Sequence, residues 1–135
     1  MSLGSVVKMS LSFVLAAFGC GDKPLLLFNT QPITPATINQ PARHFRVGEP
    51  VHYALINPKG FKSDYIRVQV IKKEEKTAHW GYSIYWAKDY KIDSTQDTYI
   101  NYVVINRPGY YFMQIYGFND FDRVIARNDF WVRDK

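Results

Sequence analysis

Cysteine is nearly absent from this chain of 135 residues, because Cys20 is the only one. A single thiol cannot form an intramolecular disulfide, and it cannot build a cysteine-based zinc site. The fold must therefore be held together by packing alone. After Cys20, no apolar run approaches the roughly 20 residues of a membrane-spanning helix, so the sequence predicts no such helix there.

Catalytic motifs are missing as well. There is no glycine-rich phosphate loop, and Ser83 does not lie in a nucleophile elbow. Paired acids such as Asp89 with Asp93, or Asp120 with Asp122, fall in polar segments where exposed carboxylates are usual. We therefore expect a protein that is not an enzyme and that holds no cofactor.

Ligands for a metal ion are equally sparse. The three histidines, His44, His52 and His79, are dispersed. His44 and His52 could meet across paired strands, but two histidines without a nearby carboxylate or third ligand make a poor metal site. Residues 119–122 alternate oxygen-bearing side chains, but calcium needs six to eight oxygens and usually a longer loop. We interpret this segment as a hairpin turn and expect no metal site.

The charge is basic without being concentrated. Lysine and arginine number 17 against 12 acidic residues, for a net charge of +5. The basic residues are scattered singly, and in the only dense run, residues 72–76, two glutamates offset two of the three lysines. We expect no nucleic-acid partner. Weak attraction to anionic lipid headgroups or acidic polysaccharide fits this pattern better.

The first twenty residues contain one charge, Lys8, followed by an apolar run that ends at Gly19 and Cys20. A positive start, about 7–15 apolar residues and a small residue at the cut form a secretory signal. With cysteine after the cut, the segment resembles the lipobox of bacterial lipoproteins. The resemblance implies a signal peptide over 1–19, lipidation of Cys20, and a membrane anchor in the cell envelope. The anchor would lie on the periplasmic side of the inner or outer membrane, or on the cell surface. The alternative is a buried N-terminal helix with a chance cysteine.

Residues 20–42 are predicted to be an extended tether, because four prolines within them exclude a helix. The segment Leu25–Phe28 is too apolar for a free linker. It is either a short edge strand on the following domain, which we favour, or a segment close to the lipid surface.

From residue 43 to residue 135, apolar and polar residues alternate with the period of a strand, and turns recur about every 8–12 residues. This pattern predicts an all-β fold, an antiparallel sandwich of about seven strands. Residues 87–97 are predicted to be a polar loop. For two strands the alternation predicts side chains that point into the core, namely Ile66, Val68 and Val70, and Tyr111, Met113 and Ile115. For two others it predicts side chains that share one face, namely Val51, Tyr53 and Leu55, and Trp80, Tyr82, Ile84 and Trp86.

Residues 108–113 resemble the start of the sixth strand of immunoglobulin-like domains. In those domains a tyrosine, two residues before the usual cysteine, bonds its hydroxyl back to the backbone at a corner. Tyr111 matches that tyrosine, and Met113 stands in the place of the cysteine. Residues 47–51 resemble the turn into the second strand of bacterial immunoglobulin-like and fibronectin-like modules. The resemblance implies a sandwich, which carries no single function with it.

Aromatic residues make up 16% of the chain, more than a core of this size needs. Such rings provide rigid contact area with a polar tip, which suits recognition of proteins and stacking on sugars. The alternative is that they pack under loops or across the sheet. We hypothesise a non-catalytic binding module for a protein partner, or alternatively for peptidoglycan or surface glycan. The candidate face comprises Tyr82, Tyr85, Trp86, Tyr90, Tyr110, Phe112 and Tyr116.

The lipidation hypothesis can be tested directly. Cells expressing the chain should incorporate radiolabelled palmitate into it, and Cys20→Ala should abolish the label because the acylated thiol is gone. An unlabelled wild-type chain in the soluble fraction would contradict the hypothesis.

Overall fold

The structure, a computed structural model, describes residues 23–74 and 81–134. The predicted signal peptide, the predicted lipidation site Cys20, and residues His79 and Trp80 lie outside the described residues. The strands in chain order are β1 (Leu25–Asn29), β2 (His44–Arg46), β3 (Pro50–Ile56), β4 (Tyr65–Lys73), β5 (Tyr82–Lys91), β6 (Thr98–Val104), β7 (Gly109–Gly117) and β8 (Asp120–Arg133).

These strands form two sheets that pack face to face. One has the order β1-β3-β6 and the other the order β2-β8-β7-β4-β5. Neighbouring strands are antiparallel, except that β2 runs parallel to β8. The predicted all-β sandwich is thereby confirmed, with eight strands. Across the two described stretches, no helix is long and apolar enough to cross a membrane.

The core lies between the sheets and follows the predicted alternation on three central strands. Val51, Tyr53 and Leu55 of β3 face Ile66, Val68 and Val70 of β4, and all six side chains are buried. On β7, the predicted core residues Tyr111, Met113 and Ile115 are fully buried as well. Since alternate side chains of a strand point to opposite faces, the neighbouring residues of β7 lie on the outer face.

A chain of contacting rings links five strands through this core. Tyr111 of β7 stacks on Phe130 of β8, with ring centroids 5.7 Å apart and planes at 13°. Phe130 also meets Phe28 of β1 edge-on at 4.9 Å and Phe45 of β2 at 5.8 Å. Tyr85 of β5 approaches Tyr111 edge-on at 5.4 Å. Because Phe28 belongs to the three-stranded sheet, these rings connect the two sheets.

Tyr111 has the predicted corner geometry. Its ring is fully buried, and its hydroxyl donates a hydrogen bond of 2.6 Å to the backbone oxygen of Arg107. The bond spans the turn before β7 and fixes the angle at which the chain enters that strand. Met113, which takes the place of the cysteine of antibody-type domains, is fully buried.

The predicted face of the β5 residues is wrong. Val70 pairs with Trp86 whereas Ile71 pairs with Ile84, so Tyr85 is the extra residue of a β-bulge. The bulge reverses the alternation, which places Tyr82 and Ile84 on the outer face while Tyr85 and Trp86 pack against the core. The predicted polar loop is also shorter than 87–97, since β5 continues to Lys91.

The structure describes residues 23–42 of the predicted tether, and the part from residue 25 onward lies against the sandwich. Leu25–Asn29 forms β1 and pairs with β3, as in the edge-strand interpretation. The segment that follows folds over the outside of the three-stranded sheet, where Ile33 and Ile38 pack on Ala54 and Ile56. Asn29 holds this segment through its side-chain amide, which donates to the backbone oxygens of Thr37 and Gln40 at 3.1 and 3.0 Å. The boundary drawn at residue 43 thus falls between two strands of one fold.

The rest of the outer face of the three-stranded sheet is not covered by other described residues. Strand β6 is the edge of the three-stranded sheet in the described part of the chain. Its outward side chains Ile100, Tyr102 and Val104 are exposed, and no charged residue occurs between Thr98 and Val104. The edge is therefore both apolar and uncharged.

Removing the Tyr111 hydroxyl should weaken the fold. Tyr111→Phe should lower the free energy of unfolding by about 1–3 kcal/mol, because the carbonyl of Arg107 loses its donor. Tyr111→Ala should cost about 3–5 kcal/mol through the cavity it leaves. Chemical denaturation measures both losses, with Tyr102→Phe, on an exposed ring, as the matched control. Equal losses at positions 111 and 102 would contradict the corner assignment.

Alkaline pH should destabilise the protein through its buried phenols. Burial raises the pKa of Tyr111 to about 12 and also raises the pKa of Tyr53 and Tyr99, whereas an unfolded tyrosine ionises near pH 10. The folded state therefore holds these protons more tightly, and its stability is complete below about pH 10 and falls as pH rises through about 12. The free energy of unfolding, measured across this range, should decline less steeply in Tyr111→Phe than in the wild type. Parallel declines would show that Tyr111 ionises alike in both states.

Candidate functional site

The seven predicted aromatic residues separate into two groups. Tyr85, Trp86 and Tyr90 pack against the core from β5, so they do not share a surface with the others. Tyr82 of β5 and three half-buried side chains of β7, Tyr110, Phe112 and Tyr116, belong to the outer face of the five-stranded sheet. The bulge at Tyr85 is the reason for this separation.

Three of the outer residues meet around one shallow depression of about 340 Å³, which we call the aromatic depression. It is lined by Tyr82, Tyr110, Phe112, Arg127, Asn128 and Asp129. The Tyr82 and Phe112 rings meet edge-on at 5.6 Å, and Trp131 extends the surface by contacting Tyr110 at 4.6 Å. Tyr116 lies further along β7 and does not line the depression.

The exposed fractions of these side chains distinguish the residues that face solvent from those that lie under them. Tyr82 is 50% exposed and Trp131 is 46% exposed, so both present a ring to solvent. Ile84, one outward position further along β5, is 62% exposed. Phe112 and Tyr110 are half-buried beneath them. The depression is thus bordered by exposed apolar groups on either side.

Charged groups on β8 hold the floor of the depression in place. The Tyr110 hydroxyl donates to Asp129 Oδ2 at 2.5 Å, and Arg43 forms an ion pair with the same carboxylate. Arg127 donates to the side-chain oxygen of the buried Gln114, while its guanidinium carbon lies 5.6 Å from the centre of the Phe112 ring. The surface therefore combines rings with a cation and an anion whose positions are fixed by hydrogen bonds.

Sequence reasoning missed Arg127, Asp129 and Trp131. They join the aromatic residues because β8 pairs with β7 in a register that sets Trp131 beside Tyr110 and Asp129 beside Phe112. The alternation of residues 124–132 could have placed all three on one face. No local signal in the sequence specifies the register that brings this face beside the aromatic residues of β7.

The other candidates have structural roles. Asp89 lies in β5 and forms an ion pair with Arg67 of β4, with Nε and Oδ1 2.7 Å apart; the hydrogen bond from Arg67 lowers the pKa of this carboxyl. Asp120 accepts a bond from the amide of Asp122 at 3.0 Å. Both residues lie in β8, so the turn consists of Phe118 and Asn119 and not of residues 119–122 as predicted. Among residues 23–74 and 81–134, no three histidine, cysteine or acidic side chains come together as metal ligands.

Comparisons with known proteins identify the fold and no more. No protein-family model matches the chain, and no curated protein matches it. Among solved structures, an immunoglobulin-like protein from Pseudomonas aeruginosa is similar at a TM-score of 0.52 and 11% identity, covering 81% of this chain and 92% of that one. The PmoD soluble domain from Methylocystis sp. is similar at a TM-score of 0.50 and 11% identity, covering 84% and 93%.

A candidate lipoprotein from Bacillus anthracis is also similar, with a TM-score of 0.48 and 11% identity over 84% of this chain and 74% of that one. A TM-score below 0.5 does not establish a shared fold. At 11% identity, the two preceding structures bear on architecture alone. Together with the sheet order and the tyrosine corner, they show that residues 23–74 and 81–134 adopt an immunoglobulin-like β-sandwich.

Proposed function

We propose that this chain is a lipid-anchored protein of the bacterial envelope whose immunoglobulin-like domain binds a protein partner and catalyses no reaction. The anchor rests on the lipobox resemblance at Gly19 and Cys20. The binding role rests on one observation, the aromatic depression bordered by Tyr82 and Trp131. Tyrosine, tryptophan and arginine are the residues that most often dominate protein interfaces.

The composition of the depression suits a protein better than a flat sugar ring. Arg127 and Asp129 place opposite charges beside the rings, which provides hydrogen-bonding partners for the backbone and charged side chains of another protein. Tyr85 and Trp86, two of the rings that were candidates for stacking on a sugar, pack against the core. Stacking on the exposed Trp131 is what remains in favour of that alternative.

The proposal is tested by recovering the chain from crosslinked native cells and identifying what is bound to it. Tyr82→Ser should greatly reduce recovery of a stoichiometric protein partner, since a half-exposed ring at the border of the depression is lost. Tyr102→Ser is the matched control, because Tyr102 is 53% exposed against 50% for Tyr82 but lies on β6 of the other sheet.

Each outcome has a distinct meaning when circular dichroism shows both variants folded. Loss in Tyr82→Ser alone supports the aromatic depression as the binding face, and equal recovery in both variants contradicts it. Sedimentation with insoluble cell-wall glycan, abolished by Trp131→Ser and without a protein partner, would favour the glycan alternative.

A further inference from the structure

The opposite end of the sandwich contains a second cleft, which the predicted site residues do not reach. Strand β1 begins there, since Leu25 pairs with Ile56 at the end of β3. The loop after β3 and the hairpin between β7 and β8 close the same end. Between them lies a cleft of about 490 Å³, which we call the basic cleft.

Positive charge dominates this cleft. Its lining contains four basic side chains and one acidic one, namely Lys23, Lys59, Lys62, Arg123 and Asp120. Asp120 is the one carboxylate among these five charged side chains. The lining of the cleft therefore carries a net positive charge.

A tight turn fixes the two lysines of the β3–β4 loop. The Gly60 amide donates to the Asn57 oxygen at 2.8 Å, and the Asn57 side-chain amide donates back to the Gly60 oxygen at 2.9 Å. Gly60 has a φ of 75°, which other residues rarely adopt. Lys59 and Lys62 thus extend from a loop whose backbone is well held.

Exposed rings accompany the basic side chains at this end. Phe118 and Phe121 lie on the β7–β8 hairpin, are 38% and 46% exposed, and have ring centroids 5.0 Å apart. The Arg67 guanidinium carbon lies 4.9 Å from the Phe121 ring centre, and Tyr65, 43% exposed, contacts Phe118 at 5.5 Å. Aromatic rings beside basic side chains are typical of surfaces that rest at a membrane–water interface.

We propose that this end of the sandwich docks on the anionic phospholipid headgroups of the bilayer that holds the anchor. The inference rests on the proposed lipidation. Cys20 precedes Lys23 by three residues, and three trans peptide units span at most about 11 Å. Attraction between basic residues and anionic lipid acts over a Debye length of about 8–10 Å. The basic cleft is therefore within reach of the headgroups, and Phe118 and Phe121 enter the interface beside it.

Docking in this way directs the aromatic depression away from the membrane. Tyr110 and Gly117 are seven residues apart on β7, which corresponds to about 24 Å at 3.4 Å per residue. Gly117 lines the basic cleft and Tyr110 lines the aromatic depression. The two surfaces thus occupy opposite ends of the same strand, one for lipid and the other for the partner.

The test uses the acylated full chain in lipid nanodiscs, with lysine acetylation followed by mass spectrometry. Discs of phosphatidylcholine are compared with discs in which about a third of the lipid is phosphatidylglycerol, an anionic lipid. Acetylation of Lys59 and Lys62 should be several-fold slower on the anionic discs. Lys73, at the other end of the sandwich, should react at the same rate on both.

Variants and a free anion make the result specific. Lys59→Glu with Lys62→Glu should abolish the slower acetylation of Lys23 on anionic discs, whereas Lys73→Glu with Arg133→Glu should preserve it. Inorganic phosphate added to phosphatidylcholine discs should give little protection; protection equal to that of anionic discs would identify a free-anion site and overturn the proposal.

Two further outcomes separate this inference from the proposed anchor. If the chain associates with both kinds of disc but Lys59 and Lys62 are acetylated at the same rate on each, headgroup docking is overturned and the anchor is left intact. A chain that associates with neither kind of disc overturns both proposals together.

Discussion

The contact of Tyr111 with Phe130 is the interaction on which the sandwich depends. Antibody-type domains join their sheets with a disulfide, whereas the described part of this chain contains no cysteine and the buried Met113 stands at one of the cysteine positions. Here Tyr111 closes the corner through Arg107, while Phe130 extends the contact to Phe28 in the other sheet. Packing between the sheets, with no covalent link among the described residues, does not depend on the redox state of the compartment.

Sequence patterns predicted the parts of the fold that one strand determines by itself. The alternation along β3, β4 and β7 specified which side chains are buried, and the resemblance of residues 108–113 to the sixth strand of immunoglobulin-like domains indicated the corner. The face of β5 could not be predicted, because the bulge at Tyr85 is defined by its register against Val70 and Ile71. Ile33 and Ile38 likewise pack on the outside of a sheet through contacts with β3. The prolines near them in the sequence indicate only an extended segment, so this packing could not be predicted.

The candidate site was likewise predictable only where one strand determines the position of its side chains. The aromatic content indicated that rings exceed the need of the core, and Tyr82, Tyr110 and Phe112 do lie together on an outer face. Three of the seven predicted residues instead support the core, because the bulge turns them inward. The charged floor of the depression comes from β8, through the β7–β8 register. A sequence read one strand at a time identifies the types of side chain but not which strands bring them together.

The open edge of β6 has a consequence for how copies of the chain behave near one another. Strand β6 pairs with β3 on one side and has no partner among the described residues on the other. An uncharged strand edge of this kind is a template for strand-to-strand association, and Thr98–Val104 contains no lysine or proline that would prevent it. In dilute solution such encounters depend on bulk concentration. Molecules held upright in one lipid leaflet, as proposed, would instead meet edge to edge at a rate governed by their density in the plane of the membrane. Expression level would then set the degree of lateral clustering.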